Sequence, residues 1–258
     1  MALLKRFQHL AVNTITFSNV FWLYLSRFSH IKVRILRLWN GAVFHVDNLN
    51  NNLGTVIEVF YAREYRDLEE LIDRKDATFI DIGANIGTFT IWALRTVPGS
   101  RVFSYEPETK NYSLLVENIR DNGMERRAQA FRSAVCGESG MRSLSIAGES
   151  SGKNSLAYDV GGVVSEQVSC LTLASIFADN GITHCDCLKV DCEGAEYELL
   201  YAAPVSVTNM IDMIIFESHG VEGHCVGALK KFLVERGFTI EDSLLFASMH
   251  TARKVKVQ

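Results

Sequence analysis

Two groups of residues in this sequence have the types and spacing to do chemistry. The first is Asp81, Gly83, Ala84, Asn85 and Gly87, followed 19 positions beyond Gly87 by Glu106. Glycines let backbone approach a ligand closely, because no Cβ intervenes. A helix starting behind them would offer free N–H groups to an acceptor. An acid at that distance can take both hydroxyls of a ribose. The second group is Lys189, Asp191 and Glu193, with Glu217, Ser218 and His219 further on. Carboxylates and an imidazole brought to one place can bind a cation or move a proton.

These roles need elements to position them. Phe79, Ile80 and Ile82 form the short apolar run of a buried parallel strand. Gly83–Gly87 turns the chain. Ile86, Phe89, Ala93 and Val97 then recur at helical spacing until Pro98-Gly99 ends the helix. A second strand follows at Arg101–Tyr105, with Glu106 at its end. Strand, glycine turn, helix, strand and acid make a nucleotide-type βαβ unit. Cys185–Val190 reads as a fourth strand, delivering Lys189, Asp191 and Glu193. Met210–Phe216 reads as a fifth, delivering Glu217, Ser218 and His219. Ligands of open α/β sheets sit beyond the carboxyl ends of the strands, so both groups fall at one edge.

The dinucleotide fingerprint wants glycine where this chain has Asn85 and Thr88. The missing second glycine would crowd a pyrophosphate. Asp81 adds a carboxylate, which repels phosphate and suits an ammonium or sulfonium. A cationic adenosine ligand, S-adenosylmethionine, therefore fits better than NAD.

Four segments then carry a resemblance: Asp81–Phe89 (DIGANIGTF), Tyr105–Ile119 (YEPETKNYSLLVENI), Leu188–Leu200 (LKVDCEGAEYELL) and Ile214–Gly220 (IIFESHG). With Trp39–Val46 upstream, the chain resembles the FkbM family of class I S-adenosylmethionine-dependent methyltransferases. The resemblance implies a Rossmann-like α/β fold with a seven-stranded, mostly parallel sheet. It implies a hydroxyl acceptor on a small molecule, sugar or glycolipid. It also implies that Ser133 and Ala134 meet the adenine, and that the segment holding Tyr65 closes over the cofactor. The other reading of Tyr65 is a ring packed on the sheet.

The expected division is an N-terminal helical and hairpin extension, residues 1–75, and a methyltransferase domain, residues 76–258. The net charge of −4 and pI near 6.0 give no electrostatic case for nucleic acid. Six cysteines without a C-x-x-C pair read as buried free thiols in a reducing, cytoplasmic setting. Lys5-Arg6 precedes a mildly apolar Leu10–Leu25, but polar residues interrupt it well short of the ~20 apolar residues a spanning helix needs. Residues 1–38 read as amphipathic helices with Trp22, Tyr24 and Phe28 on apolar faces. A peripheral membrane contact through them is the alternative.

Elsewhere, Asn40-Gly41 signals a hairpin. Asn48–Gly54 reads as a polar loop, and Thr55–Tyr61 as a strand or short helix. Ala128–Val135 reads as the third strand. The glycine- and serine-rich stretch 148–162 reads as a lid or an unstructured insertion. Phe238–Ile240 and Leu244–Met249 read as a closing antiparallel hairpin.

Methyl transfer from a sulfonium needs alignment of the acceptor and, for an alcohol, a base. The base candidates are His219, Asp191, Glu193 and Glu217, with His219 favoured for its ordinary pKa near ~6.5. Asp191 and Glu193 share a face if strand geometry persists. They could orient the acceptor, hold the methionine ammonium, or hold Mg²⁺ with Glu217; the ammonium is preferred and no metal is assigned. Lys189 needs a carboxylate such as Asp81 or Glu217. Glu196 reads as a helix N-terminal charge. Two rivals stay open: an NAD-dependent oxidoreductase, for which no proton relay is found, and a non-catalytic binding protein.

Overall fold

The computed structural model describes residues 16–19, 21, 33–47, 49–62, 64–146, 155–156 and 164–255. Trp22, Tyr24 and Phe28 lie outside the described residues, as does the 148–162 stretch apart from Ser155 and Leu156.

The described chain opens with a hairpin, β1 (Ile35–Arg37) and β2 (Val43–His45), turned at Gly41 with φ +84°. Helix α1 (Leu49–Phe60) and a 3-10 turn (Arg66–Leu71) lead into β3 (Thr78–Ile82), α2 (Thr88–Thr96) and β4 (Arg101–Tyr105). Then come α3 (Thr109–Asp121), β5 (Ala128–Phe131), β6 (Ala134–Val135), β7 (Gly140–Ile146) and β8 (Val164–Leu171). The chain continues through α4 (Leu173–Asp179), β9 (Cys187–Val190), α5 (Glu196–Ala202), α6 (Val205–Thr208) and β10 (Met213–Glu217). Helix α7 (Val226–Glu235) and strands β11 (Phe238–Asp242) and β12 (Met249–Lys254) complete it.

Seven strands form the main sheet in the order β11-β12-β10-β9-β3-β4-β5. All neighbours run parallel except β12, which lies antiparallel between β10 and β11. The inner parallel strands β3, β4, β9 and β10 are buried on both faces, as their apolar runs require. Phe79, Val102, Cys187 and Ile215 face one core, covered by α1, α2, α3 and the hairpin. Ile80, Phe103, Leu188 and Ile214 face the other, covered by α4, α5 and α7. The chain reverses direction of winding between β3 and β9, which opens a crevice at their carboxyl ends. No helix among the described residues is long and apolar enough to cross a membrane.

Three expectations are corrected. Asn48–Gly54 is no loop: Leu49–Phe60 is one helix, which sets Asn52, Val56 and Val59 on a buried face. Ala128–Val135 is not one strand. The chain leaves the main sheet at Arg132-Ser133, and Ala134–Val135 joins a second sheet of order β6-β8-β7. Leu244–Met249 is mostly a connection, with Leu244 91% exposed, and the last strand begins at Met249. Burial also holds for Cys136, Cys170, Cys185 and Cys187, whereas Cys225 is exposed.

Candidate active site

The glycine turn after β3 is fixed from both sides. Gly83 and Ala84 donate their N–H groups to the Tyr105 carbonyl at 3.0 Å each. Gly83 has φ +72°, and a Cβ there would stand 1.7 Å from the Asp191 carbonyl oxygen. The turn therefore reaches the loop after β9 only because residue 83 is glycine. Gly87, with φ +87°, caps α2, and a Cβ there would meet Leu115 at 2.7 Å. Asn118 on α3 donates from Nδ2 to the Ile86 carbonyl at 2.8 Å and the His45 carbonyl at 3.2 Å, and its Oδ1 accepts the His45 N–H.

Glu106 sits at the end of β4, 5% exposed. Its carboxylate accepts the Asn85 N–H at 2.8 Å and the Glu108 N–H at 3.0 Å, which aims it at the cleft. Burial pushes this carboxyl up to about 7, against those two hydrogen bonds. The cleft encloses about 600 Å³ including its open mouth. Gly83, Asn85, Glu106, Ser133, Ala134, Asp191 and Glu193 line it, with Leu144 and Leu156 supplying apolar walls. Asn85 Oδ1 is buried without a hydrogen-bond partner among the described residues. Asn85 also takes φ +50°, the left-handed conformation that Asn tolerates best after glycine.

Other expected residues stand behind this lining. Asp81 is fully buried: Thr90 donates to Oδ2 at 2.7 Å, and Lys189 Nζ lies 3.3 Å from Oδ1. It therefore meets Lys189 rather than the cleft. Lys189 also donates to the Gly83 carbonyl at 2.8 Å and lies 3.5 Å from Asp191. Burial opposes its charge, but Asp81 and Asp191 outweigh burial and hold the ammonium above its usual range. That gives Lys189 its role: it ties the glycine turn to β9. Ala84 and Gly87 shape the turn without lining the cleft. Tyr65, 3% exposed, packs edge-on against Phe89 with centroids 4.8 Å apart, so its ring is part of the core. Burial first, then Glu64, Asp191, Asp81 and Glu217, push its hydroxyl well up.

The second group converges through Glu196. This fully buried residue opens α5 and does more than offset a helix dipole. It accepts the Gly194 N–H at 2.7 Å and the His219 N–H at 2.8 Å, and its Oε1 stands 3.2 Å from His219 Nδ1. His219 Nε2 then lies 3.4 Å from Glu193 Oε2. Glu193 holds φ +51°, and Ser155 donates to its carbonyl at 2.6 Å. Burial pulls the His219 imidazole down, but the Glu196 hydrogen bond and the neighbouring carboxylates hold it up at about 9. Burial pushes Glu193 up to about 7. Burial and Asp191 also raise Glu217, which accepts Ser248 Oγ at 2.8 Å. At neutral pH His219 thus carries its proton, and Glu193 is the group poised to take one. Asp191, Glu193 and His219 bring potential ligand atoms within 4.8 Å of one another, but an imidazole that keeps its proton offers no lone pair to a metal.

One acid escaped the sequence reading. Glu64, beside Tyr65, is pushed up to about 8 by burial and by Asp191 and Glu58, and it also feels Lys189 and Glu217. It stands over the same cluster from the segment that precedes the sheet. Only its neighbour Tyr65 pointed to it.

Comparison with known proteins agrees with this geometry. The Methyltransferase FkbM domain family matches residues 81–240. The chain is 26% identical over 246 residues to the 31-O-demethyl-FK506 methyltransferase FkbM of Streptomyces tacrolimicus, covering 83% of this chain and 93% of that protein. It is 25% identical over 209 residues to methyltransferase sdnD of Sordaria araneosa, covering 68% and 80%. Among solved structures, the METTL16 methyltransferase domain superimposes with a TM-score of 0.50 at 13% identity, covering 90% of each chain.

Proposed function

This chain belongs to the FkbM methyltransferase family, and on that premise we propose that it methylates a hydroxyl of a small molecule, sugar or glycolipid. S-adenosylmethionine is the methyl donor; when bound it supplies an electrophilic methyl on a sulfonium that departs as a neutral thioether. The observation that carries the reading is Glu106. Its two oxygens are pinned by Asn85 and Glu108 and still face the cleft, the arrangement a ribose diol needs. The residues fit the group in a second way. Asn85 Oδ1 is an acceptor with no partner among the described residues, on a residue that lines the cleft. Ser133, Ala134, Leu144 and Leu156 offer a small, largely apolar wall to an adenine.

The remaining side chains divide the work. Asp191, at the cleft edge and 3.5 Å from Lys189, is the carboxylate placed for the methionine ammonium. The acceptor oxygen attacks as its proton passes to Glu193, so one O–H bond is exchanged for one O–C bond. His219, charged by its contact with Glu196, steadies the Glu193 carboxylate that takes the proton. Glu217 bounds the acceptor side. A base so placed contributes typically ~10²–10⁴-fold. The oxygen acceptor draws support from the printed name of the Streptomyces tacrolimicus relative, which acts at a 31-O position.

An NAD-dependent reading must place a pyrophosphate against Asn85, where the side chain and its left-handed backbone occupy the position of the second glycine. The test is a comparison of metabolites from cells with and without the protein. A product heavier by one CH2, whose methyl stays on through alkali as an ether's does, is the expected result. An N-methyl product would overturn the hydroxyl assignment.

A further inference from the structure

The sheet register carries the site beyond the cofactor cleft. Asp81, Lys189, Ile215 and Thr251 are successive register partners on β3, β9, β10 and β12, so their side chains share one face. One row nearer the strand ends, Glu217 pairs with Met249 on the same face. A second cavity, about 990 Å³ on the same measure as the cleft, opens along this face. Its lining includes Ile215, Leu244, Phe246, Met249 and Thr251, and Glu64. It shares no lining residue with the cofactor cleft; Glu64, which lines it, feels the charge of Asp191, which lines the cleft.

The charges there are uneven. Asp67 is paired with Arg253 and hydrogen-bonded by Thr251, and Asp242 is held by Lys230 and His250. The Glu64 carboxyl has no hydrogen-bond or ion-pair partner among the described residues, although Asp191 and Glu217 lie close enough to repel it. Burial keeps this carboxyl largely protonated near neutral pH, and an ammonium reaching it would favour its ionised form and pair with it. The opposite wall is apolar and continues onto exposed Leu244 and Leu245.

We propose that this cavity receives the methyl acceptor, and that the acceptor is a cationic amphiphile: an amine-bearing alcohol whose apolar body lies on Leu244, Phe246 and Met249 and whose ammonium meets Glu64. The inference rests on the methyltransferase reading, since it takes Glu193 and Glu217 as the place where the hydroxyl arrives. Acceptors bearing phosphate or carboxylate meet no cationic side chain in the lining of this cavity.

A matched series tests it: 2-aminooctan-1-ol, octane-1,2-diol and 2-hydroxyoctanoate, titrated by calorimetry into the full chain saturated with S-adenosylhomocysteine. The amino alcohol binds about 10-fold more tightly than the diol, and the hydroxy acid more weakly than either. Glu64→Gln abolishes the preference for the amine while the affinity for S-adenosylhomocysteine stays within about threefold. Equal affinities, no binding of any probe, or a preference that survives Glu64→Gln overturns the assignment. Failure of S-adenosylhomocysteine to bind the native chain counts against the methyltransferase reading instead, so the two failures are distinguishable.

Discussion

Glu196 Oε1 accepts the backbone N–H of His219 at 2.8 Å and stands 3.2 Å from Nδ1 of the same residue. One buried carboxylate thereby fixes both the path of the loop after β10 and the charge of the ring that loop carries. Replacing it separates the two effects. Glu196→Gln keeps the shape and removes the charge, at the loss of one of the two acceptor oxygens, so the His219 imidazole titrates well below its value of about 9. Glu196→Ala strips the Gly194 and His219 N–H groups of their acceptor and costs about 3 kcal/mol. Ring proton shifts against pH measure the first, and urea unfolding the second.

Lys189 and Asp81 behave as one unit. Lys189→Met leaves a fully buried carboxylate beside Thr90 with no cation, at a cost of about 3–5 kcal/mol. Adding Asp81→Asn to that variant recovers part of the loss, because the uncompensated charge is gone. Urea midpoints of the two single variants and the double variant show whether the coupling exists.

Two glycines with similar backbone angles respond differently. Gly83 has φ +72° and no room, while Gly123 has φ +68° and nothing within 4 Å of a built Cβ. Gly123→Ala therefore costs about 1–2 kcal/mol of left-handed strain alone. Gly83→Ala must also push Asp191 away, so it disrupts the cleft and abolishes cofactor binding. Thermal melts with and without S-adenosylhomocysteine distinguish them: the ligand stabilises the Gly123 variant and leaves the Gly83 variant unmoved.

Burial raises three carboxyls, Glu64 to about 8 and Glu106 and Glu193 to about 7, from an ordinary value of 4.5. Between those values the folded chain binds more protons than the unfolded chain, so stability falls as pH rises. Their contribution is full below about 4.5 and gone above about 8. Glu64→Gln removes its share of this slope and stabilises the protein at high pH relative to low, by on the order of 1–3 kcal/mol. Denaturant midpoints across that window, native against variant, report it.

The βαβ unit was legible because parallel strands buried on both faces must be continuously apolar, and because Gly83 and Gly87 mark the turn. The glycine turn and Glu106 were found for the same reason. Helix α1 was not legible. Its Asn-rich start has weak helix propensity, and tertiary packing of Asn52, Val56 and Val59 overrides that. The end of β5 at Phe131 carries no glycine or proline to mark it; the second sheet decides where the chain leaves. Strand β12 hid behind His250 and Thr251, polar residues that Asp242, Ser218 and Asp67 satisfy in the fold. Sequence favoured His219 as the base on its ordinary pKa, which only the contact with Glu196 revises. Glu64 was missed because nothing in its spacing says that it folds back over Asp191.

On the proposed reading, Glu106 and Asn85 seat the ribose of a cationic adenosine ligand. Calorimetry of S-adenosylmethionine and NAD against the native chain and Glu106→Ala tests it most directly. The native chain binds S-adenosylmethionine and ignores NAD, and Glu106→Ala weakens that binding by about 10- to 100-fold, the worth of one or two charge-assisted hydrogen bonds. Binding of NAD alone, or an affinity for S-adenosylmethionine unchanged by the loss of Glu106, contradicts it.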